Sequence, residues 1–128
     1  MQPIQLFSLA SRQAEWLSLR QEVVAGNIAN ANTPKYLGKD VVPFDAVLES
    51  TQMQMARTNP GHISASTLSD DIEVRDAKLN QEIGIQESGN NISIAMELSK
   101  TGEIKRQSEL NTSLVSSFHR MMLMTVKK

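Results

Sequence analysis

Two histidines, one acidic run and one serine pair are the residues from which chemistry could be built in this 128-residue chain. His62 sits in Asn59-Pro60-Gly61-His62 and His119 far away beside Arg120, with no further ligands at a metal-binding spacing around either. Asp70, Asp71, Glu73 and Asp76 lack the glycine and terminal glutamate of a calcium loop, so they read as a solvated strand edge. Ser116 and Ser117 lie near His119, yet no strand-to-helix elbow presents them and no acid is placed to orient the base. The six glycines are scattered and form no phosphate cradle. No catalytic residue, metal ligand or cofactor site is expected, and no small-molecule substrate.

Composition supports a structural reading. Lys and Arg number 13 against 14 Asp and Glu, a net charge of −1 that supplies no field to gather nucleic acid. The 32 Leu, Ile, Val and Phe residues make a quarter of the chain, above the roughly 20% level below which disorder is expected throughout. Only five side chains are aromatic, which favours helices packed through aliphatic residues. With no cysteine there are neither disulfides nor thiolate ligands. No apolar run reaches the roughly 18 residues of a membrane span. Arg12, Gln13 and Glu15 interrupt any leader-like apolar stretch, so export is expected without a cleaved signal.

The expected fold is mainly α, with two long terminal helices pairing in a coiled-coil-like manner around an irregular middle that carries short strands. The amino-terminal helix is expected over 3–32 and, with residues 1–2, forms the first unit of the chain (1–32). Phe7, Ala10, Ala14, Leu17, Gln21, Val24 and Ile28 step by three and four along it, the spacing of a contact line. Leu9, Trp16, Leu19 and Val23 form a second apolar group on roughly the opposite side. One partner helix covers only one such face. The first line is therefore assigned to packing within the chain, and Leu9, Trp16 and Val23 to contact with another molecule.

The carboxy-terminal unit, 93–128, reads as a second long helix capped by Ser93, with Leu114, Phe118 and Met122 on its packing face and Gly102 as its weak point. Between the helices, 33–92 lacks helical periodicity and contains Pro34, Pro43 and Pro60. Val41, Val42 and Phe44, and later Ile72 and Val74, suit short extended segments. The stretch 50–71, rich in Ser and Thr, is expected to be a mobile loop.

The informative string is Asn27-Ile28-Ala29-Asn30-Ala31-Asn32-Thr33-Pro34-Lys35-Tyr36. Asparagines at a helix end satisfy free carbonyls and tolerate left-handed geometry, while Pro34 prevents continuation and drives Thr33 towards an extended conformation. This string resembles the amino-terminal signature of the bacterial flagellar axial proteins, the rod, hook and hook-associated family. Asn27 to Pro34 and Tyr36 match it; Lys35 stands where the family usually has glycine. Thr58-Asn59-Pro60-Gly61-His62-Ile63 and Gly89-Asn90-Asn91-Ile92, with Glu97-Leu98 beyond, are similar to segments of its proximal-rod members. The resemblance implies a structural subunit of the basal-body rod, exported by the flagellar type III apparatus and assembled in the periplasm. Copies of the chain and other rod proteins would form a torque-transmitting tube through which later subunits pass, in contact with the export apparatus and basal-body rings. The alternative is a small helical type III secretion chaperone or adaptor.

Overall fold

A computed structural model of the chain describes residues 3–51, 72–77 and 87–126. Five elements follow in order: α1 (Pro3–Ala29), β1 (Lys39–Val41), α2 (Phe44–Thr51), β2 (Val74–Asp76) and α3 (Ile94–Val126). His62, Asp70, Asp71 and most of the stretch expected to be mobile fall outside the described residues.

The two long helices run antiparallel. Phe7 meets Phe118 edge-on at 5.7 Å between ring centroids, the Asn111 side-chain amide donates to the Ala10 carbonyl at 2.9 Å, and Asn27 meets Glu97 at the other end. Residue numbers rise along α1 as they fall along α3. The inward positions of α3, Glu97, Ile104, Asn111 and Phe118, are one heptad apart, so they return to the same side of the helix. On α1, Leu17 and Val24 are buried, and Phe7, Ala10 and Ile28 are half-buried. Ala14 and Gln21, which belong to the same expected line, are exposed. Gly102 lies within an unbroken α3.

The other side of α1 is covered by the chain itself. Strands β1 and β2 form a two-stranded antiparallel ribbon in which Val41 stands opposite Val74. Further backbone bonds, Val42 to Glu73 and Ala77 to Gly38, lengthen the ladder at both ends. The ribbon and α2 place Val41, Val47 and Ile72 in one buried cluster with Trp16, Leu17, Val24 and Ile104, and Leu19, Val23, Ile28 and Phe44 pack around it.

Two expectations need correction here. The middle was expected to lack a helix, but α2 spans eight residues. Pro43 accepts the first turn through its carbonyl, Asp45 sits favourably near the positive helix end, and Phe44, Val47 and Leu48 face inward at one-turn spacing. A helix of barely two turns is too short to show periodicity in sequence. Phe44, expected in a strand, therefore begins a helix.

The second correction concerns Trp16, assigned to a neighbouring molecule. Its side chain is 7% exposed, its indole N–H donates to the Val42 carbonyl at 2.8 Å, and its ring lies 5.8 Å from that of Phe44. The Arg20 guanidinium covers the remaining face of the indole at 5.2 Å. A connection of a few residues after α1 is enough to fold a lid back over it, which a helical wheel does not reveal. Truncation to Trp16→Ala is expected to cost about 3–5 kcal/mol of stability in the isolated chain, measured by urea unfolding; a loss below about 1 kcal/mol would mean that the lid is not packed on α1.

Candidate functional site: an asparagine latch at the base of the hairpin

Where α1 ends, its last carbonyls lack helical partners and turn towards the interior, where water cannot serve them. Asn30 takes the first step locally, its side-chain amide donating to the Gly26 carbonyl at 2.8 Å. The chain then turns through Thr33, whose N–H reaches the Asn30 carbonyl, and Tyr36, whose N–H reaches that of Thr33. Lys35 has φ of 60°, the left-handed conformation for which glycine is the usual choice. Its N–H donates to the Ser88 carbonyl at 2.9 Å, so a tertiary contact holds the turn in a shape that lysine adopts at some cost. Gly89, itself at φ 79°, lies against the Lys35 backbone.

Asn90 completes the helix end from 60 residues away in sequence. Its side chain is fully buried, and Nδ2 lies 2.9 to 3.0 Å from the carbonyl oxygens of Asn30, Ala31 and Thr33. Its Oδ1 accepts the N–H of Ile92 at 2.8 Å, which turns the chain towards α3. Asn91 accepts the N–H of Gly38 at 2.7 Å. The two motifs that stood apart in sequence are thus one joint, with each side supplying the donors or acceptors the other lacks.

Asn27 makes the second half of the joint. It is 1% exposed, and its side-chain amide pairs with the Lys39 backbone as a strand would, accepting the N–H at 2.9 Å and donating to the carbonyl at 2.7 Å. The same Nδ2 donates to Glu97 at 3.0 Å. Glu97 is 6% exposed and is held by Lys100 at 3.0 Å, which also reaches Asp40 at 3.3 Å. A buried carboxylate is expensive unless paired and hydrogen-bonded; here it has both. Burial pushes the Lys100 pKa down, but the hydrogen bond to Glu97 and the charges of Asp40 and Glu97 outweigh it and hold the ammonium above its ordinary 10.5. The raised value means that the ammonium's contribution to stability is fully present below pH 10.5 and is lost as the pH rises through its higher folded value.

The remaining motif residues have clear places. Ala31 is buried and Ile28 half-buried, while Ala29, Asn32, Thr33 and Pro34 are exposed and Tyr36 is half-buried. Leu9 and Val23 are half-buried, and Leu114 and Met122 are exposed. Glu73 and Asp76 are exposed on β2, and His119 is exposed on α3. Among the described residues no group of three His, Cys, Asp or Glu could hold a metal ion, and no helix is long and apolar enough to cross a membrane. Sequence reasoning missed the capping role of Asn90 and Asn91 and the triad of Asp40, Glu97 and Lys100. The signal available was an unusual pair of asparagines ahead of a helix, matching asparagines at the end of another.

Comparison with known proteins identifies what carries this joint. Residues 16–36, from Trp16 through the motif to Tyr36, match the family described as flagella basal body rod protein. The chain is 70% identical, over its whole length and 97% of the relative, to the flagellar basal body rod protein FlgB of Agrobacterium fabrum. It is 31% identical over 70% of its length, and 72% of the relative, to that of Borrelia hermsii. This chain belongs to the flagellar basal body rod proteins. Within them it falls in the FlgB family, as a structural subunit of the rod and not an enzyme. The chaperone alternative is set aside by that membership.

Replacing Asn90 by Ala strips donors from three carbonyls and an acceptor from one N–H. The expected loss is about 3 kcal/mol in urea unfolding of the isolated chain. Asn90→Asp is expected to do no better, because a carboxylate accepts but does not donate and would face three carbonyl oxygens. Stability within 0.5 kcal/mol of wild type in Asn90→Ala, on the order of an ordinary surface substitution, would contradict the capping role.

Proposed function

We propose that the latched hairpin is the unit of assembly, packing side by side with further copies and with other rod proteins into a helical tube that transmits torque and lets exported subunits pass. The observation that carries this is the outer face of α3. Leu110 and Leu114, one turn apart, are 56% and 60% exposed on a flank of α3 beside the Ile104 and Asn111 line that meets α1. Large apolar residues exposed in a row on a helix mark a contact with another molecule.

In this reading the units 1–32 and 93–128 form the axial core, and the described parts of the middle segment, 33–92, serve as the lid of α1. The heptad spacing of Glu97, Ile104, Asn111 and Phe118 supports coiled-coil-like pairing of the two helices. The motif residues Asn27 to Pro34 and Tyr36 act by setting the hairpin's register, with no direct part in subunit contact. Phe7, Leu17, Val24, Ile28 and Phe118 hold the pair together, Trp16 and Val23 hold the lid, and Leu9, Leu114 and Met122 lie on surfaces open to neighbours. The assembled rod would lie in the periplasm, reached through the flagellar export apparatus without a cleaved signal, and contact the basal-body rings. A protein with one unsatisfied face and a different complementary surface elsewhere makes heterologous contacts, which propagate as an open filament.

The double substitution Leu110→Asp with Leu114→Asp tests this directly. Because both side chains are exposed, unfolding of the isolated chain is expected to shift by no more than about 1 kcal/mol. Cells carrying it are expected to export the protein yet to lack it in purified basal bodies and to be non-motile. Wild-type motility would overturn the role of this face.

A further inference from the structure

The strand edge that Glu73 and Asp76 mark in the sequence is open on one side only. In the ribbon the Val42 N–H donates to the Glu73 carbonyl at 3.1 Å and the Ala77 N–H to that of Gly38 at 2.8 Å. Backbone groups of an antiparallel strand point alternately to its two sides. Those of Glu73, Arg75 and Ala77 are therefore turned to β1, and those of Val74 and Asp76 away from it. The matching outer groups of β1 are taken: Lys39 makes both of its bonds with Asn27, and the Val41 N–H donates to the Asp40 carboxylate at 2.9 Å. Among the described residues no strand pairs with the outer side of β2. Unpaired backbone groups on a strand edge are a template for a further strand.

The side chains along this edge select what can be added to it. Glu73 and Arg75 stand on one face of the ribbon, exposed and paired with each other. Val74 is on the opposite face, across from buried Val41, and is 39% exposed. A second β2 can lie antiparallel to the first through its own outward groups in a few registers. One sets Glu73 against Glu73, and another sets Arg75 against Arg75; like charges directly opposite are destabilising. The register between those two sets Val74 against Val74 and Glu73 against Arg75 at both ends, so opposite charges meet and the apolar face that stops at Val74 continues into the second copy. A slip by one residue would present the groups already bonded to β1.

We infer that the outer edge of β2 docks the β2 of a second copy of this chain, in the register centred on Val74, to give a continuous sheet of order β1-β2-β2-β1. The two Val74 residues exchange backbone N–H and carbonyl bonds, and the charges of the two Glu73 and two Arg75 side chains alternate around them. The Asn27 contact holds α1 at the far edge of β1. The pair is two-fold symmetric and closes on itself, unlike the heterologous contact proposed above. It belongs to subunits not yet built into the tube, and it stands independently of the assembly reading.

Sedimentation of the isolated full chain over a concentration series tests the pairing. The dimer fraction is expected to rise with concentration and to fall severalfold in Arg75→Glu, which sets carboxylates against each other. It is expected to recover in Glu73→Arg with Arg75→Glu, which exchanges the two charges and restores opposite pairs. Both side chains are exposed, so the helix content of these variants, read by circular dichroism, is expected to match wild type. The absence of native cysteine allows the register to be read separately. Residues directly opposite in a hydrogen-bonded antiparallel pair lie about 5.5 Å apart between Cα atoms, within reach of a disulfide. Under mild oxidation Val74→Cys is expected to give severalfold more covalent dimer than Glu73→Cys or Asp76→Cys, because position 74 alone faces itself. A wild-type chain that stays monomeric throughout, a double charge variant that fails to recover the dimer, or equal disulfide yields at the three positions would overturn the inference.

Discussion

The termination of a buried helix is the constraint on which this structure depends. Around residue 30 the chain must leave α1 without stranding carbonyl oxygens in the interior, and no local side chain suffices for all of them. Asn90 supplies the donors, and because it lies three residues before α3 begins, capping one helix positions the next. Asn27 then joins the β1 backbone and Glu97 through a single side chain. With those bonds made, the antiparallel register of the hairpin, the place of the ribbon and the lid over Trp16 all follow from short connections. Buried polar groups of this kind contribute little net stability relative to an apolar core, but they discriminate sharply against a slipped register, in which every donor would lose its acceptor.

The same geometry decides where apolar surface is left over. The middle segment turns back immediately after the latch and covers the face of α1 that carries Trp16, leaving α1 enclosed between α3 and the ribbon. The outer side of α3 has no such lid among the described residues, where Leu110, Leu114, Leu123, Met124 and Val126 stay exposed. The family match over residues 16–36 makes sense in these terms. That stretch holds Trp16 beneath its lid and two asparagines of the joint, Asn27 and Asn30.

Much of the architecture was legible in the residues. Spacing by three and four revealed both long helices, and Ser93 marked the start of the second, which begins at Ile94. Valines at 41 and 74 marked the ribbon in which they stand opposite each other. What periodicity could not provide was tertiary choice. The wheel showed two apolar faces on α1 but not which would be covered by the same chain, because that depends on where the segment after Tyr36 travels. Lys35 gave no local sign of its left-handed backbone, which is set by Ser88 and Gly89. The spacing of Glu97 and Lys100 gave no sign that Glu97 would be buried against Asn27 and bring both into the joint.

Amide hydrogen exchange in the isolated chain tests the latch most directly. Three amides donate to its side chains: Gly38 to Asn91, Lys39 to Asn27 and Ile92 to Asn90. If the latch sets the register, these three exchange as slowly as the helix amides around Leu17 and Ile104, through global unfolding alone. Fast exchange at Gly38, Lys39 and Ile92 while those helix amides stay protected would show that the hairpin holds without its joint, and would contradict the central claim.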